Sequence, residues 1–155
     1  MDEKNRHRRI MAAPGTAPSP VASALERYVR ERLRCLTEAR RILGLNELDM
    51  ITVLHISRNP GVRPTDLRHH IGITSAGVTT VVDRLVQRDI LRREVDPDDR
   101  RVSHLYAEVD VTSEPWNCLT RFDDTFNRAL EQLQPEVLDE VSTVLNTATT
   151  FAELK

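Results

Sequence analysis

Along most of the chain, apolar residues recur every three or four positions, and short breaks rich in Gly, Pro or Asn separate these stretches. Such spacing places the apolar side chains on one face of an α-helix. It predicts helices over residues 21–43, 45–57, 64–71, 74–88, 116–133 and 136–154. Two shorter segments, 91–95 and 102–109, alternate with a period of two around the sequence DPDD and predict a β-hairpin. The pattern therefore predicts a mostly α protein with one small hairpin.

Residue types at the predicted helix ends support these boundaries. Asn46 and Thr74 have side chains that accept hydrogen bonds from the free amides of a helix N-terminus. Pro64 suits the first position of a helix, and Gly44 and Gly72 suit the position just past a helix end.

The second predicted helix, 45–57, has acidic residues at its start and an apolar face behind them. Glu47 and Asp49 lie in its first turn, where the helix dipole favours acidic side chains. Its apolar residues are expected to face the core: Leu48, Ile51, Val53, Leu54 and Ile56.

Residues 63–101 read as two helices joined by a tight turn and followed by the charged hairpin. This is the layout of a helix-turn-helix with a wing, which lays its second helix in the DNA major groove. That helix has a predicted buried stripe of Val78, Val81, Val82 and Leu85. Its outward positions are mostly small and polar, which lets a helix backbone approach base edges: Ser75, Ala76, Gly77, Thr79, Thr80, Asp83 and Arg84. The alternative is an ordinary amphipathic helix with small surface residues.

The predicted hairpin carries paired arginines, Arg100 and Arg101, at or just past its tip. A long planar cation on a hairpin suits a narrow, electronegative minor groove. Asp98 is expected to hold one of these arginines in place by a bidentate ion pair. The alternative is a solvated turn in which acidic and basic charges cancel.

Charge is unevenly distributed along the chain, although the net charge is only −2. Residues 58–101 contain nine arginines and seven acidic residues, whereas residues 108–140 contain nine acidic residues and two arginines. Such a distribution orients a protein on a polyanion without making it basic overall.

Other classes of protein find little support in the sequence. It has no glycine-rich phosphate loop, no metal-ligand spacing and no serine with an evident histidine partner, so neither an enzyme nor a cofactor is predicted. It has no apolar run of about 20 residues and no secretory signal, and its two cysteines are far apart. We therefore expect a cytoplasmic protein without membrane contact. Residues 1–20 are expected to be a disordered tail or, alternatively, a basic arm.

From about residue 21 onward, the chain resembles the MarR family of bacterial winged helix-turn-helix regulators. The resemblance rests on the strings LGLNELDMITVLHIS, PTDLRHHIGITSAGVTTVVDRLVQRDIL and DPDDRR followed by VTSE. The sequence departs from the family pattern in three places. Asp89 stands where a glycine is usual, Trp116 replaces a small residue, and a nine-residue segment, 102–110, follows the paired arginines.

The resemblance implies a homodimeric transcriptional regulator that reads a pseudo-palindromic DNA operator. Repression is favoured, and activation is the alternative. Residues 21–44 and 112–155 would form an intertwined dimerisation region, and residues 45–111 the DNA-binding lobe. The wing arginines Arg100 and Arg101 would lie in the minor groove. The cap Thr74 and six residues of the recognition helix, the second helix of the helix-turn-helix, would lie in the major groove: Ser75, Ala76, Gly77, Thr79, Thr80 and Arg84. Of the wing pair, Arg100 is favoured because it stands two positions after Asp98, while Arg63 and Thr65 would contact phosphate.

How such a regulator would sense a signal is open at this stage. The resemblance implies a small aromatic or phenolic effector, for which Tyr28, Arg34 and His55 are candidate contacts, although core packing or surface solvation explains each equally well. Oxidant sensing through Cys35 is an alternative, and a structural cysteine is another. A winged helix used only for protein–protein assembly is a further alternative, but such a module has no need for exposed arginines beside a small polar helix face.

Overall fold

A computed structural model describes residues 18–153 of the chain, with side chains described as far as residue 150. The described chain divides into two units, one ending at Arg34 and the other beginning at Cys35, which we describe separately. Its elements are α1 Pro20–Leu43, α2 Glu47–Arg58, α3 Pro64–Ile71, α4 Ser75–Gln87, β1 Leu91–Val95, β2 Ser103–Ala107, a 3-10 helix Trp116–Leu119, α5 Arg121–Leu130 and α6 Pro135–Glu153. The predicted mostly α fold with a small hairpin is confirmed.

The described part of the first unit is the N-terminal portion of α1. The Ser19 hydroxyl accepts a hydrogen bond from the Ala22 amide at 3.1 Å, which caps the start of the helix. Apolar side chains of this portion, including Val29 and Leu33, are exposed. The predicted tail, 1–20, lies outside the described residues except for its last three positions.

The second unit contains a core built from all the elements of residues 35–107 and closed by Leu119. The end of α1 contributes Leu36 and Ala39, and β2 contributes Leu105, which is fully buried. On α2 the predicted core contacts are confirmed: Val53 and Ile56 are buried, and Leu48, Ile51 and Leu54 are partly buried and pack against the core. The buried residues of α2 also include three that were not predicted: Asp49, Met50 and Thr52.

The predicted helix caps are confirmed. Asn46 accepts a hydrogen bond from the Asp49 amide at 2.8 Å, and the Asp49 carboxylate accepts one from the Asn46 amide. This reciprocal arrangement satisfies amides that α2 leaves free at its N-terminus. Thr74 accepts from the Gly77 amide at 3.1 Å, and Gly72 ends α3 in the left-handed conformation.

At the end of α4, the chain turns sharply into the hairpin through Asp89, which has a φ of 55°. The Ile90 amide donates to the Leu85 carbonyl and the Asp89 amide to the Val86 carbonyl, both at 3.0 Å. This is the Schellman arrangement, in which a left-handed residue ends a helix and glycine is favoured. It explains why the family pattern has glycine at this position.

The hairpin is an antiparallel pair with Leu91 opposite Ala107 and Val95 opposite Ser103. The segment before α3 extends it, because Gly61 donates to the Leu105 carbonyl at 2.9 Å and Leu105 donates to the Val62 carbonyl at 3.0 Å. The second strand is shorter than the predicted 102–109. Its exit is ordered by Asp110, whose carboxylate accepts from the amide and hydroxyl of Thr112.

The prediction of one helix over residues 116–133 was wrong. The structure has a 3-10 helix from Trp116 to Leu119, a break at Thr120, and α5 from Arg121 to Leu130. At the break, Leu119 is buried in the core and the Thr120 hydroxyl donates to the Val111 carbonyl at 3.2 Å. These contacts tie the break to the hairpin exit, and apolar periodicity alone does not report them.

The last helix, α6, buries little of its apolar stripe within one chain. Val137, Val141 and Val144 are 43%, 43% and 65% exposed. A helix with an apolar face in a globular protein normally covers that face. Across the described helices, none has the length and apolar character required for a membrane span.

Candidate nucleic-acid interface

The outward face of α4 is small and hydroxylated, as predicted. Its buried stripe is the predicted one: Val78, Val81, Val82 and Leu85. On the opposite side, Ser75, Ala76, Thr79 and Thr80 are all exposed. The Thr79 hydroxyl donates to the Ser75 carbonyl at 3.1 Å, and the Thr80 hydroxyl donates to the Ala76 carbonyl at 3.0 Å. The oxygen of each hydroxyl keeps acceptor capacity toward a donor from outside the helix.

Gly77 and Thr74 form the first turn of α4 together. A β-carbon at Gly77 would lie 3.3 Å from the Thr74 hydroxyl oxygen and 3.4 Å from the Ile73 Cδ1 atom. The glycine therefore allows the capping threonine and the turn residue Ile73 to pack closely. Gly77 thus has a structural role in addition to its predicted place on the groove face.

Arg84 differs from the other predicted groove residues, because its guanidinium is held inside the lobe. Its Nε donates to the Asp49 Oδ1 atom at 3.1 Å, and Nη2 bonds to the same oxygen. The Asp49 side chain is only 3% exposed and that of Arg84 is 39% exposed. This geometry favours a scaffold role for Arg84, in which it neutralises a buried carboxylate, over the base-reading role predicted from sequence.

Arg88, which was not predicted as a functional residue, anchors the C-terminal end of α4. Its guanidinium donates to the carbonyls of Leu43 and Gly44, both at 3.0 Å. These carbonyls lie at the C-terminal end of α1, where helical partners are lacking. Together with the Arg84–Asp49 pair, this contact ties the second half of α4 to the corner between α1 and α2.

The turn of the wing is organised by Asp96 and not by Asp98. One oxygen of Asp96 accepts from the Asp98 amide at 2.9 Å and from the Asp99 amide at 3.1 Å. A hydrogen bond from His104, together with these two, lowers the pKa of Asp96 to about 2. The predicted bidentate pair between Asp98 and a wing arginine is absent from the described residues.

The wing arginines Arg100 and Arg101 project from this turn and are exposed. No ion pair is recorded for either side chain within residues 18–153, although the Arg101 amide donates to the Asp99 carboxylate at 2.9 Å. Both guanidiniums therefore have free donors at the tip of the hairpin. This is the arrangement that insertion into a narrow groove requires.

The wing base is held by side chains that link it to α4 and stack across the hairpin. The Arg93 guanidinium lies 3.1 Å from the Asp83 carboxylate of α4. The guanidinium of Arg92 lies 4.2 Å from the centre of the Tyr106 ring, an attractive cation–π contact. The first contact holds β1 against α4, and the second joins the two strands of the hairpin.

The remaining predicted DNA contacts lie at the start of α3. Arg63 is its N-cap residue and Thr65 follows in the first turn, and both residues are exposed. A helix N-terminus presents free amides and a positive dipole end, which suits a phosphate. Their predicted role is compatible with this position.

The predicted effector contacts fall in different units. Tyr28 and Arg34 lie in the first unit, where Arg34 is paired with Glu31 at 2.8 Å. His55 lies in the second unit and stacks on His70 with 3.8 Å between ring centres. Burial lowers the pKa of His55, with the charges of His70 and Arg58 adding to the effect.

Neither cysteine is in a disulfide. Cys35 and Cys118 are both half-buried free thiols. Burial raises the pKa of the Cys118 thiol. Within the part of the chain that the structure describes, no three His, Cys, Asp or Glu side chains are grouped as metal ligands would be.

The element order, the paired helices α3 and α4 and the attached hairpin define a winged helix-turn-helix domain. The family profile described as the MarR family matches residues 43–102, which contain that domain. The predicted resemblance to the MarR family is therefore confirmed over residues 43–102. No curated protein matches the sequence.

Solved structures share the fold over most of the chain. The apo form of E. coli MarR is 15% identical, covers 86% of this chain and 98% of its own, and has a TM-score of 0.55. Streptococcus pneumoniae FabT in complex with DNA is 20% identical over 86% of this chain and 99% of its own, with a TM-score of 0.55. A point mutant of S. aureus MepR bound to an oligodeoxyribonucleotide is 17% identical over 86% of this chain and 97% of its own, again with a TM-score of 0.55.

Proposed function

We propose that this protein is a homodimeric, sequence-specific DNA-binding transcriptional repressor. The observation that carries the proposal is the exposed, hydroxylated face of α4 beside a wing whose tip arginines are exposed and, within residues 18–153, carry no recorded ion pair. Small residues on a helix permit close approach to base edges, and free guanidiniums suit the minor groove. FabT and MepR are similar in fold and are described in complexes with DNA, which supports the same partner for this chain.

The contacts divide into those that read bases and those that position the protein. Ser75, Ala76, Thr79 and Thr80 would read bases in the major groove. Arg63 and Thr65 would hold phosphate, and Arg100 and Arg101 would enter the minor groove. In this proposal Arg84 supports the recognition helix from behind and does not itself read a base.

The homodimer is proposed from the apolar surface of the terminal helices. Val137, Val141 and Val144 recur on α6 at helical spacing and are exposed in the single chain, as are Val29 and Leu33 on α1. An exposed apolar stripe on a long helix is stabilised by covering it with a partner. A second copy would bring two recognition helices to half-sites about one helical turn apart.

Regulation by a small aromatic or phenolic effector is proposed with this function. A ligand that binds one arrangement of the dimer better than the DNA-binding arrangement shifts the population away from DNA. Tyr28, Arg34 and His55 are the proposed contacts. Burial raises the pKa of the Cys118 thiol, which supports the packing role expected for that residue.

The test is selection of duplexes from a random pool by the purified full chain at physiological salt. We expect recovery of an inverted repeat with half-sites about 10 base pairs apart. The variant in which Thr79 and Thr80 are both replaced by alanine provides the matched comparison, because its changes lie on the reading face and leave the buried stripe intact. Weak binding without any motif, abolished by moderate salt, would contradict sequence-specific reading and turn attention to protein partners.

A further inference from the structure

The histidine ring of His104 lies between two groups that can only accept hydrogen bonds. Its Nδ1 atom is 2.9 Å from the Gly61 carbonyl oxygen. Its Nε2 atom is 3.0 Å from the Oδ2 atom of Asp96. The side chain is 23% exposed, so the ring is largely enclosed by the wing and the segment before α3.

Both contacts are hydrogen bonds only if the ring carries two protons. A neutral imidazole has one N–H and one lone pair, so it would turn a lone pair toward one of the two oxygens. Asp96 does not supply the missing proton, because its pKa is lowered to about 2 and it is ionised at neutral pH. The geometry therefore corresponds to an imidazolium that donates to a carbonyl and to a carboxylate.

The surrounding charges come from each element near the ring. Glu94 of β1 is the cross-strand partner of His104, and the wing turn contributes Asp96, Asp98 and Asp99, all acidic. The positive charge of Arg63, before α3, opposes protonation. On its own strand the nearest ionisable neighbour on the same face is Tyr106. Arg100 and Arg101, in the same turn, also oppose a positive ring.

We propose that His104 is a positioning residue of the wing, whose imidazolium ties the turn carrying Arg100 to the loop before α3 and makes DNA affinity depend on its proton. This inference rests on the proposed function, in which the wing contacts DNA. The bridge joins two DNA-facing regions, since one end holds the wing turn and the other lies two residues before Arg63. Loss of the proton removes one of the two bonds and also one positive charge near the DNA phosphates.

The direction of the pH effect follows from the hydrogen bonds. The bond to Asp96, then the bond to Gly61, raises the pKa of His104 above its ordinary value of 6.5. A group whose pKa is raised in the folded state stabilises that state fully at a pH below its ordinary pKa. This stabilisation is lost as the pH rises through the raised pKa. DNA affinity is therefore expected to fall as the pH rises above 6.5.

The first measurement is an NMR titration of the imidazole nitrogens in the full chain without DNA. We expect both His104 nitrogens to carry protons at about pH 6.5, and its pKa to exceed the ordinary value of 6.5. In Asp96→Asn, which keeps an acceptor for the turn amides but removes the charge, the pKa of His104 should move down toward its ordinary value. A wild-type pKa at or below the ordinary value would overturn the proposal without reference to DNA.

The second measurement is the Kd for a duplex recovered in the selection, determined by fluorescence anisotropy at constant salt from about pH 6 to about pH 8.5. Wild-type protein should lose at least about threefold more affinity over this range than His104→Gln. A difference of about half a unit between the pKa of a group in free protein and in DNA-bound protein changes the Kd by about threefold. His69→Gln is the matched control and should keep the wild-type pH dependence.

The outcomes separate this inference from the function on which it rests. Equal pH dependence in wild type and His104→Gln, with specific binding retained, refutes the role of His104 and leaves the DNA-binding function standing. Absence of specific binding by wild-type protein at every pH refutes the proposed function and removes the coupling to DNA with it. The NMR titration would still decide whether the imidazolium bridge exists.

Discussion

The ion pair between Arg84 and Asp49 provides the sharpest test of how the recognition helix is held. Asp49 is buried at the start of α2, with its side chain only 3% exposed. Besides the Arg84 guanidinium, its carboxylate accepts from the Asn46 amide, and that bond is long at 3.4 Å. Replacing Arg84 by alanine leaves a buried carboxylate without a compensating charge.

The expected cost lies between two limits. Removing one partner of a fully buried pair costs about 3–5 kcal/mol, whereas an exposed pair contributes about 0–1 kcal/mol. Arg84 is 39% exposed, so water enters part of the space that its side chain leaves. We therefore expect Arg84→Ala to lower the free energy of unfolding by about 2–3 kcal/mol.

The assay is urea unfolding at a fixed protein concentration, because the stability of the proposed dimer would depend on concentration. With a slope of about 1–3 kcal/mol per molar urea, the midpoint should fall by about 1 M. In a double-mutant cycle with Asp49→Ala, the coupling energy should be at least about 1 kcal/mol. Arg41→Ala is the matched control, since Arg41 is 74% exposed in its pair with Glu38, and its midpoint should stay close to that of wild type.

A different result would restore the interpretation based on sequence. If Arg84→Ala unfolds like wild type and the selected duplexes lose their preference at one base pair, Arg84 reads a base and the scaffold role is refuted. If stability falls and base preference is kept, the scaffold role stands. The two readouts are independent, so one variant decides between them.

Three further outcomes follow from the same geometry. Arg100→Ala should weaken specific DNA binding by about 1–3 kcal/mol at fixed salt. Asp98→Asn should change binding little, because no ion pair joins Asp98 and Arg100 among the described residues. A larger loss of affinity in Asp98→Asn than in Arg100→Ala would refute the described wing. Asp89→Gly should raise the free energy of unfolding in urea by about 0.5–1 kcal/mol, since it relieves a left-handed conformation, and a loss of stability would count against this reading. In a Cys35→Ser background, the Cys118 thiol should react with a disulfide reagent more slowly than after unfolding, because burial raises its pKa; equal rates would contradict that shielding.

The features predicted correctly from sequence are those with local chemistry. Asn46 and Thr74 cap helices whose amides lie about three residues away, and Gly72 provides the left-handed turn that ends α3. The stripe of valines on α4 repeats within one helix. In each case, the partners are close in the sequence, so residue type and spacing suffice.

The features that were missed depend on residues far apart in the chain. Asp49 was read as an acid favoured by the helix dipole, but its main partner, Arg84, is 35 positions away. Arg88 meets the end of α1 across a similar distance, 44 positions from Gly44. A spacing rule cannot show such contacts, because they exist only after the helices have packed.

In the wing, the position of the turn was predicted correctly, but Asp98 was wrongly expected to be the acidic residue that holds it. Several acidic residues stand close together there, and spacing alone favoured Asp98 as the partner of Arg100. The structure shows that Asp96 accepts from the turn amides and from His104, so it is already engaged. Choosing among neighbouring acids requires the backbone path, which composition does not report.

The two halves of the recognition helix have different consequences for how this protein can diverge. Arg84 and Arg88 anchor the second half, and changes there disturb the whole lobe. In the first half, the exposed hydroxyls of Thr79 and Thr80 donate to backbone carbonyls of their own helix. Substitutions at these two positions leave the contacts between helices in place. Under the proposed function, operator preference can therefore evolve there at little cost in stability, and descendants of one ancestral gene can acquire new target sites while keeping the same scaffold.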